Sequence, residues 1–167
     1  ADKTITAVKS PFNGVEVLSK TFEFISSETS TLTVNSGTQI IVPENAFVDR
    51  DKNPVTGKVK ISYTEYYKPA EVITSGIPMT FNDNGTIQNF QSAGMFRINA
   101  TQNGDEVFLA SQKSVTVNMV SNKSDEGFRN YFFDEVAGEW IDIGDEKIVR
   151  QVDTTSIRVQ PMTDSSI

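Results

Sequence analysis

The sequence contains no cysteine and no histidine in its 167 residues. These absences exclude disulfide bonds, thiolate nucleophiles and the zinc or haem sites that the two side chains form. They also exclude the serine–histidine and cysteine–histidine arrangements of many hydrolases. No apolar run approaches the roughly 18 residues of a membrane-spanning helix. The residues therefore predict neither a cofactor nor a membrane-spanning segment.

Positive charge is scarce as well. The chain has 15 lysines and arginines against 22 acidic residues, which gives a net charge of −7. Its lysines are scattered, as in the run KNPVTGKVK, so nucleic acid and anionic membranes are poor partners. Hydrophobic residues make up 37% of the chain and charged residues 22%, which is typical of a folded protein. The length predicts a single domain over residues 1–167.

Apolar and polar residues alternate with a period of two in most of the chain. In the run GKVKISYTEYY, the side chains of Val59, Ile61 and Tyr63 fall on one face, with polar residues between them. The runs KSVTVNM and TTSIRVQ repeat this pattern. Such alternation indicates antiparallel strands with one buried face.

Turn residues separate these strands at short intervals. The pairs Asn84–Gly85 and Asn103–Gly104 favour primed hairpin turns, because both central residues of such turns need positive φ. Many short strands at hairpin spacing predict an all-β fold, specifically an antiparallel β-sandwich of the immunoglobulin-like type. A single helical turn is expected in PAEVI, where Pro69 can take the first helical position.

Two similar runs, TSGIPMTF and QSAGMF, lie within stretches that are predicted to be strands. Glycine in a strand, here Gly76 and Gly94, marks a bulge or a close approach of two backbones. Pro78 cannot donate a ladder hydrogen bond, which favours an edge or interrupted strand. The expected core residues of the two runs are Met79, Phe81, Met95 and Phe96. We expect close packing here, and a peptide or glycan groove is the alternative.

The run from SGTQIIVPENAF to SGIPMTF, together with QSAGMFRINA and NYFFDEVAGEWIDIG, resembles a β-rich module of secreted or lipid-anchored proteins of Bacteroides-type bacteria. The similarity covers about residues 34–144, and SGIPM and SAGMF are its most specific parts. The PENAF region is more weakly similar to the β-sandwich domains of ankyrins and netrin receptors. The resemblance implies a location in the periplasm or at the cell surface, with a lipid anchor in a segment outside this sequence. It implies no catalytic residue.

Aromatic residues raise the possibility of sugar binding, since exposed tyrosine and tryptophan rings offer flat apolar area. Alternation places Tyr131 and Phe133 on one face of a strand and Phe132 on the other, so at least one face is expected to be core. Tyr66 and Trp140 are the candidates for stacking against a ligand. Core packing is the interpretation that we prefer for both.

Asp49, Asp51 and Asn53 alternate as the oxygen ligands of a calcium loop do. The pattern then fails, because Pro54 stands where such a loop needs glycine and Lys60 where it needs a bidentate glutamate. A hairpin turn explains the same residues by turn propensity. We expect the turn and assign no metal ligand; a calcium-stiffened adhesion domain is the alternative.

A carboxylate-based glycosidase needs two carboxyl groups that face one groove. The candidates in this chain are Glu65, Glu71, Asp134, Glu135 and Glu139. Their spacing along the sequence says nothing about their separation in space, and solvated surface charge explains them as well. No nucleophile elbow, phosphate loop or dinucleotide fingerprint is present. No catalytic residue is therefore assigned.

These observations predict a non-enzymatic module of the cell envelope that binds, spaces or docks other domains. Recognition is expected along an exposed strand edge or through an aromatic patch. The partners would be other protein domains or glycans. A glycan-binding module is the first alternative, and a carboxylate-based glycoside hydrolase is the second.

Overall fold

The computed structural model describes residue 8, residues 11–12, 16–120 and 129–144, and the backbone of residues 154–159. In these ranges the chain forms antiparallel β-strands and one short helix, which confirms the predicted all-β class. The elements are β1 (Lys20–Ile25), β2 (Ser30–Thr33), β3 (Gln39–Val42), β4 (Phe47–Val48), β5 (Lys58–Tyr66), α1 (Pro69–Ser75), β6 (Thr80–Asp83), β7 (Thr86–Asn89), β8 (Met95–Gln102), β9 (Asp105–Glu106), β10 (Phe108–Leu109), β11 (Val115–Val120), β12 (Asn130–Asp134), β13 (Glu139–Gly144) and β14 (Thr154–Val159).

Two four-stranded sheets form the body of the fold. The first has the strand order β1-β5-β8-β9 and the second β14-β11-β3-β2. The hairpins β6–β7 and β12–β13 form separate two-stranded sheets, as do β4 and β10. Within the described residues, no helix is long and apolar enough to cross a membrane.

The two large sheets bury their inner faces in one core. The first sheet contributes Phe24, Val59, Ile61, Tyr63 and Ala100, and the second contributes Leu32, Ile40, Val42, Val115, Val117 and Met119. The alternation predicted for β5 and β11 is thereby confirmed. Two antiparallel sheets around one core fit a β-sandwich, whereas the immunoglobulin-like type stays a prediction.

Both predicted Asn-Gly turns have the expected backbone. Asn84 and Gly85 have φ values of 49° and 93°, and Asn103 and Gly104 have values of 53° and 93°. Positive φ at both central residues is the requirement of a type I′ hairpin. The first turn joins β6 to β7, and the second joins β8 to β9.

Helix α1 follows β5 directly and has clear end signals. Pro69 is its first residue, as predicted. The Glu71 carboxylate accepts hydrogen bonds from the backbone N–H groups of Tyr67 and Lys68, at 2.9 and 3.0 Å, and these bonds lower the pKa of Glu71. Gly76 ends the helix with a φ of 74°, the left-handed conformation that glycine adopts most readily.

The strand expected in TSGIPMTF therefore begins only after the helix. Gly76 is a helix C-cap and not a strand bulge, and Pro78 lies in the link between α1 and β6. A glycine that ends a helix and one that kinks a strand give the same local signal, since both supply a backbone that other residues avoid. The prediction of a strand at this place was wrong for that reason.

A second, smaller core lies beside α1. Its buried residues are Tyr66, Val72 and Met95, and the partly buried Val17, Ile77, Met79 and Trp140 pack against them. Tyr66 and Thr64 are buried on the face of β5 opposite Tyr63. The end of β5 is thus covered on both sides, by the large core and by the small one.

Gly94 is the site of close packing that the sequence predicted. A Cβ atom added there would lie 2.8 Å from the terminal methyl of Met119 and 3.5 Å from a ring carbon of Tyr67. Met119 is itself 4% exposed and belongs to β11 in the second sheet. Gly94 thus lets the start of β8 approach the other sheet.

Replacement of Gly94 tests this close approach. We expect Gly94→Ala to lower the free energy of unfolding by about 1–3 kcal/mol, because alanine is strained at a φ of 150° and its methyl displaces the end of the buried Met119 side chain. Urea unfolding followed by circular dichroism measures the change. Gly104→Ala is the matched control, since Gly104 also has positive φ but nothing lies within 4 Å of its added Cβ. Equal losses in the two variants would contradict the packing explanation.

Candidate functional site

Tyr66 and Trp140, the two candidates for stacking against a ligand, are both engaged in packing. Tyr66 is only 7% exposed. Its face of β5 carries polar residues nearer the start of the strand, and α1 covers that face at the end of the strand. Its ring therefore offers no surface for a ligand. Trp140 is partly buried between other aromatic rings, and its indole N–H donates a 2.6 Å hydrogen bond to the carbonyl of Pro78.

Five aromatic rings, which we call the aromatic cluster, hold the hairpins β6–β7 and β12–β13 together. Phe90, just after β7, lies at its centre. Its ring centroid is 4.6 Å from those of Phe81 and Tyr131 and 5.0 Å from that of Trp140. Phe133 adds an edge contact to Trp140 at 5.1 Å. The cluster fixes the β12–β13 hairpin through the face that carries Tyr131, Phe133 and Trp140.

Two polar contacts outside the cluster also fix this hairpin. Arg97 of β8 forms an ion pair with Glu135 in the turn between β12 and β13. The guanidinium of Arg129, the residue before β12, lies 2.9 Å from the carboxylate of Asp142 in β13. The hairpin is thereby tied to the first large sheet at its turn.

The opposite face of the β12–β13 hairpin is exposed and apolar, and we call it the outer hairpin face. Phe132 is paired with Ile141 across the two strands, so their side chains share this face. They are 38% and 44% exposed, and Ile143, two residues further along β13, is 43% exposed. Val136 in the turn is 56% exposed. Large apolar side chains therefore face solvent on the side that the aromatic cluster leaves free.

Two acidic residues extend the outer hairpin face toward the turn. Asp134 is paired with Glu139 across the strands. One oxygen of Asp134 accepts hydrogen bonds from the backbone N–H groups of Val136 and Ala137. Among the residues that the structure describes, neither carboxylate forms an ion pair with lysine or arginine. The face thus combines an apolar centre with two neighbouring negative charges.

The other candidate carboxylates have structural partners. Glu71 caps the start of α1, and Glu135 pairs with Arg97. Glu65 accepts a hydrogen bond from the Tyr63 hydroxyl at 3.2 Å, and the Tyr67 hydroxyl oxygen lies 3.3 Å from the same carboxylate oxygen. Among the described residues, no group of three acidic side chains is arranged to hold a metal ion. Their contacts explain these carboxylates as parts of the fold.

Tyr63 and Tyr67 form a hydrogen-bond network between the sheets. The Tyr67 hydroxyl donates to the backbone carbonyl of Val120 in β11, at 2.7 Å. The Val120 N–H in turn donates to the hydroxyl of the buried Thr38. Burial raises the pKa of the Tyr63 hydroxyl far above its ordinary value of 10, and the negative charge of Glu65 raises it further.

The Asp49 turn uses its carboxylate internally. One oxygen accepts hydrogen bonds from the backbone N–H groups of Asp51 and Asn53, at 2.9 and 2.8 Å. The other accepts from the Asn53 side chain at 3.0 Å. The side-chain bond from Asn53 is the main cause that lowers the pKa of Asp49. These contacts favour the turn interpretation over the calcium loop.

The sequence analysis did not predict the outer hairpin face, although the sequence contains a pattern that indicates it. The runs YFF and WIDI place apolar residues on both faces of their strands, whereas a half-exposed strand alternates. That pattern indicates two covered faces. Phe90 and Arg97 had no such signal, because their partners are distant in sequence.

Loss of the central ring tests the role of the aromatic cluster. We expect Phe90→Ala to lower the free energy of unfolding by about 2 kcal/mol, because three ring contacts are lost. The single tryptophan, Trp140, lies in the cluster, so its fluorescence should change at lower urea than far-ultraviolet circular dichroism does. Phe108→Ala, at a 41% exposed ring, is the control. An equal shift of the tryptophan transition in both variants would show that the cluster does not hold the hairpins.

Alkaline titration tests the tyrosine network. Because the pKa of Tyr63 is raised in the folded state, its contribution to stability is complete below pH 10 and declines as the pH rises above that value. The absorbance of tyrosinate should therefore show a late step that coincides with unfolding. Tyr63→Phe should reduce that step. The explanation fails if all four tyrosines ionise while the circular dichroism is still native.

The likeness of this chain to other proteins was tested in three ways. Comparison with protein-family models, with curated proteins and with solved structures found no match. The resemblance to an envelope module of Bacteroides-type bacteria therefore stays a prediction.

Proposed function

We propose that this chain is a non-enzymatic docking module of the bacterial envelope, which binds another protein domain through its outer hairpin face. The observation that carries the proposal is the exposure of Phe132, Ile141 and Ile143 on one side of a hairpin whose other side is packed. Exposed apolar side chains grouped on one surface are a feature of protein interaction sites. The envelope location is supported by the resemblance of the SGIPM and SAGMF runs.

The distribution of exposed apolar residues supports this choice of surface. A two-stranded hairpin is marginally stable by itself, so an uncovered apolar face on one is unfavourable unless it serves binding. The β12–β13 hairpin is already packed on its inner face, by the aromatic cluster. The residues on the outer face are therefore not needed to attach it to the fold.

A glycan-binding module is less well supported. Sugar platforms use the exposed rings of tyrosine and tryptophan, which combine apolar area with a polar group. Tyr66 is buried and Trp140 packs against Phe90 and Phe133. The outer hairpin face offers phenylalanine and isoleucine in their place, and these side chains suit a protein surface better.

Photo-cross-linking tests the proposal. A photoreactive residue is placed at Ile141 in one preparation and at Phe108, an exposed residue of β10, in another. We expect one or a few discrete protein adducts in envelope fractions of the host at Ile141 and none at Phe108, because only the first position lies in the docking face. Adducts are separated by electrophoresis.

Competition provides the control for this experiment. An excess of unlabelled wild-type protein should suppress the Ile141 adducts, whereas an excess of the folded double variant Phe132→Ser, Ile141→Ser should not. Adducts of equal intensity at both positions, or equal competition by the two proteins, would contradict the proposal. Release of sugar from envelope glycans that is lost on Glu139→Gln would favour the hydrolase instead.

A further inference from the structure

We infer that the outer hairpin face selects a partner segment in which an apolar side chain stands next to a lysine or arginine. This inference rests on the proposed docking function and states the chemistry of the occupant. It follows from two features that share the face, namely the apolar pair Phe132–Ile141 and the acidic pair Asp134–Glu139.

The acidic pair is the feature that points to a basic partner. Asp134 and Glu139 lie directly opposite each other across the two strands, an arrangement that is unfavourable because like charges repel. Among the described residues, no basic side chain forms an ion pair with either of them. A lysine or arginine from a partner would relieve the repulsion on binding.

The same hairpin shows how its other acidic residues are compensated. Glu135 pairs with Arg97, and Asp142 pairs with Arg129. Arginines of this chain thus pair with the acidic residue of the turn and with Asp142. The acidic pair on the outer hairpin face has no such partner among the described residues. The difference lies in the direction of the side chains, because the acidic pair, which has no ion-pair partner among the described residues, shares the face of Phe132 and Ile141.

The apolar and acidic pairs are neighbours. Phe132 is two residues from Asp134, and Glu139 is two residues from Ile141, so each step stays on the same face of its strand. Residues two apart in a strand lie about 7 Å from each other. A partner side chain that contacts the apolar pair therefore brings an adjacent lysine or arginine within reach of the carboxylates.

A second copy of this chain fits the face less well. Each chain carries a net charge of −7, and self-association would bring two such charges together. An anionic membrane surface is disfavoured for the same reason. A partner with local positive charge gains both the electrostatic attraction and the apolar contact, and such complementarity determines specificity.

The face is also held rigidly enough to select a partner. The aromatic cluster fixes the inner side of the hairpin, the Trp140 indole is bonded to the Pro78 carbonyl, and Arg97 holds the turn. A surface that is ordered before binding loses little conformational entropy when the partner arrives. The geometry of the two pairs therefore does not depend on the partner.

Selection from a peptide library tests the inference. Phage that display random linear peptides are selected on the wild-type protein and counter-selected on the double variant Phe132→Ser, Ile141→Ser. Circular dichroism first establishes that the double variant is folded. We expect the enriched peptides to carry lysine or arginine beside an aliphatic or aromatic residue.

Charge variants then test the acidic pair directly with one enriched peptide. We expect Glu139→Gln to weaken binding by about threefold to tenfold, and added salt to have a smaller effect on this variant than on the wild type. Glu106→Gln is the matched control, since it removes the same charge from an exposed position on β9. It should leave the affinity unchanged.

The outcomes separate the inference from the proposed function. Enriched peptides that need Ile141 but lack basic residues, or affinities that Glu139→Gln does not change, would overturn the inference and leave the docking function intact. A selection in which no wild-type binder survives the counter-selection on the folded double variant would overturn both. If sedimentation shows a wild-type dimer that the double variant does not form, the occupant is a second copy and the inference is wrong.

Discussion

Strand β5 buries side chains on both of its faces, and the rest of the architecture is arranged around that constraint. Tyr63 points into the core between the two large sheets, whereas Tyr66 points into the small core beside α1. The strand also pairs with β1 on one side and β8 on the other. Because β5 needs cover on its second face, α1 follows it immediately and provides Val72 as part of that cover.

The small core links the β-sheet body to the hairpin that carries the outer hairpin face. Met95 at the start of β8 and Trp140 in β13 both pack in it, so the hairpin that carries the outer face rests on the same residues that cover β5. The aromatic cluster extends this contact to the β6–β7 hairpin through Phe81 and Phe90. Binding at the outer face would thus act on a hairpin that is continuous with the core.

Features that depend on neighbouring residues could be predicted from the sequence. The positive φ values at Asn84 and Gly85 follow from the pair itself, and the burial of Val115 and Val117 follows from alternation. The first turn of α1 followed from Pro69. In each case the interactions among a few adjacent residues determine the local structure.

The features that could not be predicted have causes distant in sequence. Tyr66 was a candidate for ligand stacking, and only the position of α1, which covers an otherwise polar face of β5, explains its burial. Gly76 has a signal that fits both a helix end and a strand bulge. The site itself was partly visible, since Trp140 was a candidate, but Phe132 and Ile141 required the register of β12 and β13.

The second large sheet is completed by the last strand of the described chain. β11 has β3 on one side and β14 on the other, with Val115 opposite Val159. During synthesis from the N-terminus, the edge of β11 therefore has no partner until β14 has emerged, after the whole β12–β13 hairpin. An open edge of this kind is a template for pairing with other chains. The order of strands thus leaves one edge of β11 open until β14 has been synthesised, and the nascent chain is most prone to pairing with other chains during that interval.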